Sequence, residues 1–543
     1  MSRPALFAKI RELSRNMAIY GLGDVAVSIV NFLLLGIFVK YLTAADYGVL
    51  GLLGSVEVVA KIVFRFGLDG SFMRLFYEVD DDTSRQRLAS TIFFFLLALN
   101  GAVVALLLIA APAIARGLLG GPAHALALRI LLLNTFLIGF SFLPFHVLRI
   151  ERRAVTFSLL TLARSTLTIA LRLVLVVIVG MGVLGVVLAD LLVTVVLLAV
   201  LVRWFAPLIR AMFSRAVLRD ALAFGLPRVP HAAAQQVMAV GDKPILKLFT
   251  TFQEIGIYSM AVSFGLTQKL FLSAFESAWA PFYYAALREP DAPRVFRVVT
   301  TYGVAVLALL TAGLSSVGTD LAKAMTHGFF LAPDDPRWQA FESVIIWTSI
   351  GVLLQGVYLL TSIGLNITKH TQYYPVATAV AAGANVALNF LLIPRYGIVG
   401  AAWANGAAYG TQAALGFMFS QRFYRIDYEW GRLARIAVMA IVAASIARVV
   451  PSIRLSGVDP RAAMASIPDV LLRGTTVIVL YGGLLAITGF FNREEVRWLR
   501  SLGGRRPAAA ITLPPDSTEM AGEIVATDVM DSADVPVAAE RGR

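Results

Sequence analysis

The sequence contains no cysteine, and charged residues make up only 15% of its 543 residues. The absence of cysteine excludes disulfide bonds, iron–sulfur clusters, thiolate metal sites and cysteine nucleophiles. A soluble globular protein has about 25% charged residues, whereas this chain is 58% hydrophobic and has a mean hydropathy of +0.77. The composition therefore excludes a large soluble enzyme and a disordered binding protein, and it indicates an all-α, polytopic membrane protein.

Apolar runs long enough to cross a bilayer recur along the chain. A membrane helix needs about twenty such residues, because its backbone must satisfy its own hydrogen bonds in lipid. Reading by that length predicts about fourteen spans. The predicted organisation is a cytoplasmic segment at 1–16, an N-terminal lobe of six spans at 17–205, a C-terminal lobe of six spans at 216–420, a helix pair at 432–491 and a disordered cytoplasmic tail at 503–543.

Lysine and arginine are distributed unequally between the two sets of alternating connections. One set contains 27 of these cations and the other contains nine. Because cytoplasmic loops are enriched in lysine and arginine, the richer side is predicted to be cytoplasmic, and both termini lie on it. This topology in the cell's inner (plasma) membrane accounts for the net charge of +13, so no nucleic-acid partner is expected.

Two pairs of similar segments indicate an internal repeat. LTAADYGV at 42–49 matches TTFQEIGI at 250–257 with an offset of 208, and GVLG at 182–185 matches GIVG at 397–400 with an offset of 215. Coincidence between glycine-rich helix starts is the alternative explanation. Because six spans is an even number, the two halves are predicted to share one orientation and to place a substrate site between them near the midplane.

The segment NVALNFLLIPRYGIVGAA at 385–402 resembles a recurrent stretch of polysaccharide-export flippases in the multidrug, oligosaccharidyl-lipid and polysaccharide exporter superfamily. The starts of span two at 42–48 and of span eight at 256–258 are similar to that family too. The resemblance covers about 15–490. It implies an alternating-access flippase for a polyprenyl-diphosphate-linked oligosaccharide in polysaccharide biosynthesis. In related flippases for peptidoglycan precursors the additional helix pair is thought to hold the polyprenyl tail, which implies the same role for 432–491.

The expected partners are the lipid-linked oligosaccharide, membrane lipids, and a glycan polymerase or other export components. Two alternatives stay open: a drug/cation antiporter of the same superfamily, and a membrane-embedded glycosyltransferase or polymerase. The external loops are short, and the sequence has no histidines at metal spacing and no phosphate-binding glycine-rich loop. No enzyme activity, metal or cofactor is therefore expected, whereas coupling to an ion or a proton stays open.

Span two carries four charges at intervals of four residues, which are Glu57, Lys61, Arg65 and Asp69. This spacing predicts one slowly turning stripe on a helix. Ionisable groups in a membrane cost at least a few kcal/mol unless they face water or a partner. The stripe is therefore predicted to line a polar cavity or a paired seam between helices. The structural alternative is that Glu57 neutralises Lys61 and Asp69 neutralises Arg65, with no contact to a substrate.

Adding the repeat offset of 208 to Lys61 gives Lys269, although the chain has only eight lysines. This relation predicts that Lys61 and Lys269 form a pseudo-symmetric pair of amines that face a central vestibule. Lys61, Arg65 and Lys269 would hold the diphosphate by charge-assisted hydrogen bonds. Two cations of span seven, Arg228 and Lys243, are further candidates for substrate binding.

Three acids are candidates for energy coupling: Glu57, Asp69 and Asp24 of span one. A diphosphate that competes for the cations of span two would release the carboxylates paired with them. The alternative is that each acid only forms a structural ion pair. In span seven, Pro227 and Pro230 can break the helix, either as a static kink or as a hinge. Two further buried arginines, Arg164 and Arg172, are expected to brace the N-terminal lobe.

Overall fold

The computed structural model describes residue 32 and residues 34–491, apart from residues 80, 152, 288–290, 333 and 451–466. Within these residues the regular secondary structure is helical and includes no strand. The segments predicted at 1–16 and 503–543, and Asp24 in span one, lie outside the described residues.

The helices with defined bounds are numbered in chain order. They are α1 (Ala44–Arg65), α2 (Leu68–Glu78), α3 (Asp82–Leu118), α4 (Ala125–Gly139), α5 (Phe142–Ile150), α6 (Ala154–Arg172), α7 (Gly182–Phe205), α8 (Arg215–Gly225), α9 (Val229–Val240), α10 (Asp242–Phe249), α11 (Phe252–Gly265), α12 (Lys269–Ala286), α13 (Ala292–Thr326), α14 (Arg337–Thr361), α15 (Ile363–Ile367), α16 (Tyr373–Phe423), α17 (Trp430–Val449) and α18 (Ile467–Ile487). A π-helix at Leu173–Ile178 extends α6, and 3₁₀ turns at Leu226–Arg228 and Leu266–Gln268 join α8 to α9 and α11 to α12.

Ten helices in the described part of the chain are long and apolar enough to cross a membrane. The expected all-α, polytopic membrane architecture is therefore confirmed. The number of fourteen spans and the division into lobes at 17–205, 216–420 and 432–491 stay predictions. One reason is that α16 runs through Gly397, whose φ of 56° and ψ of −134° divide it where two spans were predicted. Another is that a turn containing Pro227 interrupts span seven.

The helices α1 and α11 begin with the same local structure at an offset of 208. Thr43 and Asp46 form a capping box at α1, in which Asp46 Oδ2 accepts from the Thr43 backbone N–H at 2.8 Å. Thr251 and Glu254 form the equivalent box at α11, with a distance of 3.1 Å. These boxes satisfy backbone donors that the first turn of a helix leaves free.

The same two helices cross at a pair of glycines. A Cβ atom on Gly48 would overlap the carbonyl oxygen of Phe252, and a Cβ atom on Gly256 would overlap the carbonyl oxygen of Ala44. The two contacts are related by the offset of 208 in both directions, so the crossing has a local two-fold symmetry. Only glycine allows the backbones to approach this closely.

The contact between α1 and α11 does not extend to the end of α1. Ser55 lies on the contact face and donates to Val240 O at 3.2 Å, but Val59 and Val63, one and two turns further along that face, are exposed. The helices therefore meet at their N-terminal ends and separate toward the side whose loops carry most of the cations. A cleft that is closed on one side of the membrane follows from this arrangement.

The second pair of repeated segments also has a common backbone conformation. Gly182 and Gly397 have φ angles of 55° and 56°, which residues with a side chain rarely adopt. Each glycine stands three residues before a second glycine that closely approaches the backbone of the preceding helix: Gly185 approaches Leu175, and Gly400 approaches Leu392. The structure thus supports both offsets of the repeat.

Helices α17 and α18 pack against α13. Tyr481 of α18 donates to Ala305 O at 2.9 Å, and Arg473 of α18 pairs with Asp320 of α13 at 2.7 Å. Arg448 of α17 donates to Ser315 O at 2.8 Å. These polar contacts hold the additional pair against α13.

Candidate functional site

Span two is not one continuous helix. Phe66 and Gly67 have left-handed φ angles of 49° and 70°, and they separate α1 from α2. The expectation of one uninterrupted stripe is therefore wrong, because Asp69 lies beyond the break. The break brings Gly67 against Gly225 of α8, where a Cβ atom would overlap the carbonyl oxygen.

The four charges of span two nevertheless form two ion pairs. Lys61 Nζ lies 2.5 Å from Glu57 Oε1, and Arg65 Nη1 lies 3.2 Å from Asp69 Oδ2. The side chains of Lys61 and Arg65 are each 41% exposed. The i,i+4 pairs therefore form, and both cations stay partly exposed, whereas the polar cavity stays a prediction.

The direction of the stripe follows from the helical geometry of α1. Glu57 is nine residues beyond Gly48, and at about 100° per residue it lies about 180° away from the glycine crossing. The charges consequently point away from the contact with α11, toward the interior of the N-terminal half. Arg164 of α6 confirms this direction, because it lies within electrostatic range of Glu57, Arg65 and Asp190.

Helix α6 has one apolar face and one cationic face. Val155, Leu159 and Leu162 are exposed and lie on the first face, as expected for contact with lipid. Arg164 follows Val155 by nine residues, so it lies on the opposite face, and it is exposed there too.

The two arginines of α6 have different environments. Arg172 forms two hydrogen bonds with Asp190 of α7, at 3.0 and 2.7 Å, which confirms its expected bracing role. Arg164 forms no ion pair within 4 Å in the described part of the chain. The expectation that it also acts as a brace is therefore wrong, because its guanidinium has no carboxylate to hold.

We call these seven charges the N-terminal charge network. Its members are Glu57, Lys61, Arg65, Asp69, Arg164, Arg172 and Asp190. Four cations face three anions, so the network has one positive charge in excess. Arg164 supplies that excess, because the other six residues form three pairs.

Lys269 is the first residue of α12, immediately after the 3₁₀ turn at Leu266–Gln268. Its amine has no ion-pair partner within 4 Å among the described residues, and Glu276 is the acid that acts on it electrostatically. The structure does not bring Lys269 into the N-terminal charge network. The pairing of Lys61 with Lys269 across a common vestibule stays a prediction.

The two candidates of span seven lie at different depths. Lys243 lies near Gly51, whose Cβ position is 3.5 Å from the Lys243 Cδ atom, and therefore near the glycine crossing. Along α1, Gly51 is ten residues from Lys61, which corresponds to about 15 Å. Arg228 lies next to Gly70 of α2 and stacks on Phe224 at 4.0 Å. Lys243 therefore lies near the glycine crossing, whereas Arg228 lies beside α2, beyond the other end of α1.

Asp242 of α10 is a buried polar residue that the sequence reading did not select as a site. It accepts a hydrogen bond from the hydroxyl of Tyr258 in α11 and from the backbone N–H of Lys243 at 2.8 Å. An acid within an apolar segment was the signal in the sequence. The described residues contain no group of three potential metal ligands.

Several solved structures are similar to this chain along most of its length. The lipid II flippase MurJ in an inward closed conformation has a TM-score of 0.67 and 15% identity, and the alignment covers 86% of this chain and 99% of that chain. An inward-facing multidrug resistance transporter of the MATE family in the MOP superfamily has a TM-score of 0.61 and 17% identity, with coverage of 77% and 95%. A MOP superfamily transporter from Pyrococcus furiosus, described as having a binding pocket of reverse polarity, has a TM-score of 0.52 and 18% identity, with coverage of 78% and 96%. At these identities the similarity establishes the fold.

The comparison with curated protein sequences found no match. The profile of a family described as "Polysaccharide biosynthesis protein" matches residues 37–312, which is just over half of the chain. The match contains the repeat starts at 42–49 and 250–257 and all seven residues of the N-terminal charge network. Together with the fold, it confirms the resemblance found in the sequence: this multi-pass membrane protein belongs to the polysaccharide biosynthesis protein family.

Proposed function

We propose that the protein is an alternating-access flippase that transfers a polyprenyl-diphosphate-linked oligosaccharide from the cytoplasmic to the outer leaflet of the inner (plasma) membrane. The N-terminal charge network carries the proposal. It contains four cations within the spans, and the side chains of Lys61, Arg65 and Arg164 are at least partly exposed, so they would line a polar space that the substrate enters. Charges in such positions mark substrate pathways in membrane proteins.

The arrangement of α1 and α11 supports alternating access. The glycine crossing closes one side of the cleft, and the exposed faces at Val59 and Val63 open toward the side that carries most of the loop cations. In this state the diphosphate and the sugars would enter the polar space from the cytoplasmic leaflet. Separation of the glycine crossing would then open the route to the outer leaflet.

The polyprenyl chain would remain in the lipid beside α17 and α18. Both helices expose large apolar residues, including Val438, Ile441 and Ile478, while their opposite faces pack on α13. This surface is suited to a hydrocarbon chain because it presents no unpaired polar group at those positions.

The excess of positive charge in the network favours an anionic substrate over a cationic drug. A cation antiporter is expected to present acids that lack partners, whereas Glu57, Asp69 and Asp190 are each held by a cation. The relatives of known fold are flippases and transporters. Transport rather than glycosyl transfer is therefore the activity that we assign.

The test is translocation of a fluorescent polyprenyl-diphosphate-linked oligosaccharide by the full chain in reconstituted vesicles. We expect the unmodified protein to expose the lipid to a reagent on the opposite side, and Lys61→Ala with Lys269→Ala to reduce the rate at least tenfold. Lys40→Ala changes a lysine outside the network and is the matched control. Full transport by the double variant would refute the role of the two lysines, and efflux of organic cations without lipid transfer would establish the antiporter.

A further inference from the structure

The N-terminal charge network contains one cation that is accessible and free of a carboxylate partner. Lys61 is held by Glu57, Arg65 by Asp69, and Arg172 by Asp190 through two hydrogen bonds. The guanidinium of Arg164 forms no hydrogen bond or ion pair within the described part of the chain, although Thr168 donates to its backbone carbonyl. The four cations of the network are therefore not equivalent toward an incoming anion.

Arg164 does not share a helix face with the large exposed apolar residues of α6. Val155, Leu159 and Leu162 form one apolar side of the helix, and Arg164 lies about 180° from Val155. Its neighbours in electrostatic range are Glu57 and Arg65 of α1 and Asp190 of α7. The guanidinium therefore interacts electrostatically with members of the span-two pairs and of the Arg172–Asp190 pair.

An anion that binds to Lys61 or Arg65 must first compete with a carboxylate at 2.5 or 3.2 Å. An anion that binds to Arg164 displaces only water. The guanidinium also offers two parallel N–H donors, which match the geometry of phosphate oxygens better than an ammonium does. At equal distance, Arg164 is therefore the cation at which a phosphate binds at the lowest cost.

We propose that Arg164 is the primary phosphate-binding residue of the N-terminal half and that it holds the diphosphate of the substrate. This inference rests on the proposed function and assigns the anchoring contact to a residue on α6, not to Lys61 or Arg65. The pairs of span two lie beside the bound diphosphate and supply secondary contacts. The remaining pair, Arg172–Asp190, holds α6 against α7 and keeps Arg164 in place.

Binding to the purified full chain in detergent tests the proposal, with geranylgeranyl diphosphate as the probe and geranylgeraniol as its uncharged counterpart. We expect the unmodified protein to bind the diphosphate more tightly than the alcohol. Arg164→Gln should raise the Kd for the diphosphate about tenfold or more, which corresponds to loss of a charge-assisted hydrogen bond. The Kd for the alcohol should not change, and Arg164→Lys should recover part of the affinity because it restores the charge.

Arg172→Gln is the matched control, since it changes the same residue type on the same helix. It leaves Asp190 unpaired, so it should lower the thermal unfolding temperature, and a second change, Asp190→Asn, should restore that temperature. Arg164→Gln should leave the unfolding temperature within about 2 °C of the unmodified protein, because no pair is broken. A large loss of stability in Arg164→Gln would show a bracing role and overturn the proposal.

Two further outcomes separate this inference from the proposed function. An unchanged diphosphate Kd in Arg164→Gln overturns the inference, whatever the vesicle assay shows. A tenfold weaker Kd in Arg164→Gln, combined with no transfer of any lipid-linked oligosaccharide by the unmodified protein, supports the phosphate site and refutes the flippase. Equal binding of diphosphate and alcohol by the unmodified protein overturns the phosphate site itself.

Discussion

At the scale of single residues, pairing decides which charges can act on a substrate. The sequence identifies Glu57, Lys61, Arg65 and Asp69 by their spacing, and the structure forms two ion pairs from them. Residues four apart lie next to each other on successive helical turns, so the i,i+4 spacing predicted these pairs. Arg164 differs, because the nearby acid Asp190 pairs with Arg172 instead. Arg172 lies on a different turn of the same helix as Arg164.

The same pairs provide a prediction about energy coupling. A diphosphate beside Lys61 and Arg65 competes with Glu57 and Asp69 for them, and a carboxylate that loses its cation in a low-dielectric space favours its neutral form. We expect flipping to depend on a proton gradient and to become insensitive to it when Glu57→Gln and Asp69→Asn are combined. His146 of α5 also lies within electrostatic range of Asp69, so His146→Gln should be measured beside the acids.

The measurement is the initial flipping rate in vesicles with an imposed pH difference, an imposed potential, or a sodium gradient. Arg74→Gln with Glu78→Gln removes an i,i+4 pair of α2 at the end of the span and is the control. If the unmodified protein responds to potential or sodium but not to the pH difference, Glu57 and Asp69 are not the coupling site.

At the scale of elements, the crossing of α1 and α11 defines the closed side of the cleft. Both helices have a capping box at the N-terminus and a glycine in the second turn, at the same offset of 208. The repeat of these short segments was visible in the sequence. Their direct contact was not, because two similar helix starts can lie far apart in a structure.

A methyl group at this crossing should favour the opposite state of the transporter. Gly48→Ala or Gly256→Ala would place Cβ against a backbone carbonyl, and such overpacking costs about 1–3 kcal/mol. The closed crossing would therefore lose population to a state in which α1 and α11 are separated. Cysteines introduced at Thr43 and Thr251, in a chain that has none, should react faster with a membrane-impermeant reagent in these variants.

Gly54→Ala is the control for this experiment, because no atom lies within 4 Å of its Cβ position on the same helix. It should leave both labelling rates at the level of the unmodified protein. Equal labelling of the Gly48→Ala, Gly256→Ala and Gly54→Ala variants would contradict the assignment of the crossing as a closed gate.

At the scale of the whole molecule, the distribution of cations predicts the topology. The ratio of 27 to nine between the two sets of connections places both termini in the cytoplasm. A reporter fused after Arg500 should be active inside the cell, and one inserted within 451–460 should be outside. An external C-terminal reporter would contradict both the even number of spans and the cytoplasmic opening of the cleft. An otherwise identical fusion within 334–336 is an external control.

What the sequence determined by itself is what depends on neighbouring residues along the chain. Apolar runs determined the membrane class. Loop cations predict the orientation, and short repeated segments predict two related halves; the structure contains the capping boxes of these segments at Thr43 and Thr251. The family followed from a local segment, 385–402, and from the profile match. Each of these signals lies within about one helix length.

Tertiary structure alone decided how these helices meet. The break at Phe66 and Gly67 accompanies a close approach of Gly67 to Gly225 of α8, and the glycine crossing joins residues 208 positions apart. Arg164 and Arg172 have the same chemistry and lie on one helix, yet only Arg172 has a carboxylate partner among the described residues, because Asp190 bonds to it. Helical periodicity predicts the face on which a charge lies, but its partners depend on the packing of other helices, and those partners determine which cation is available to a substrate.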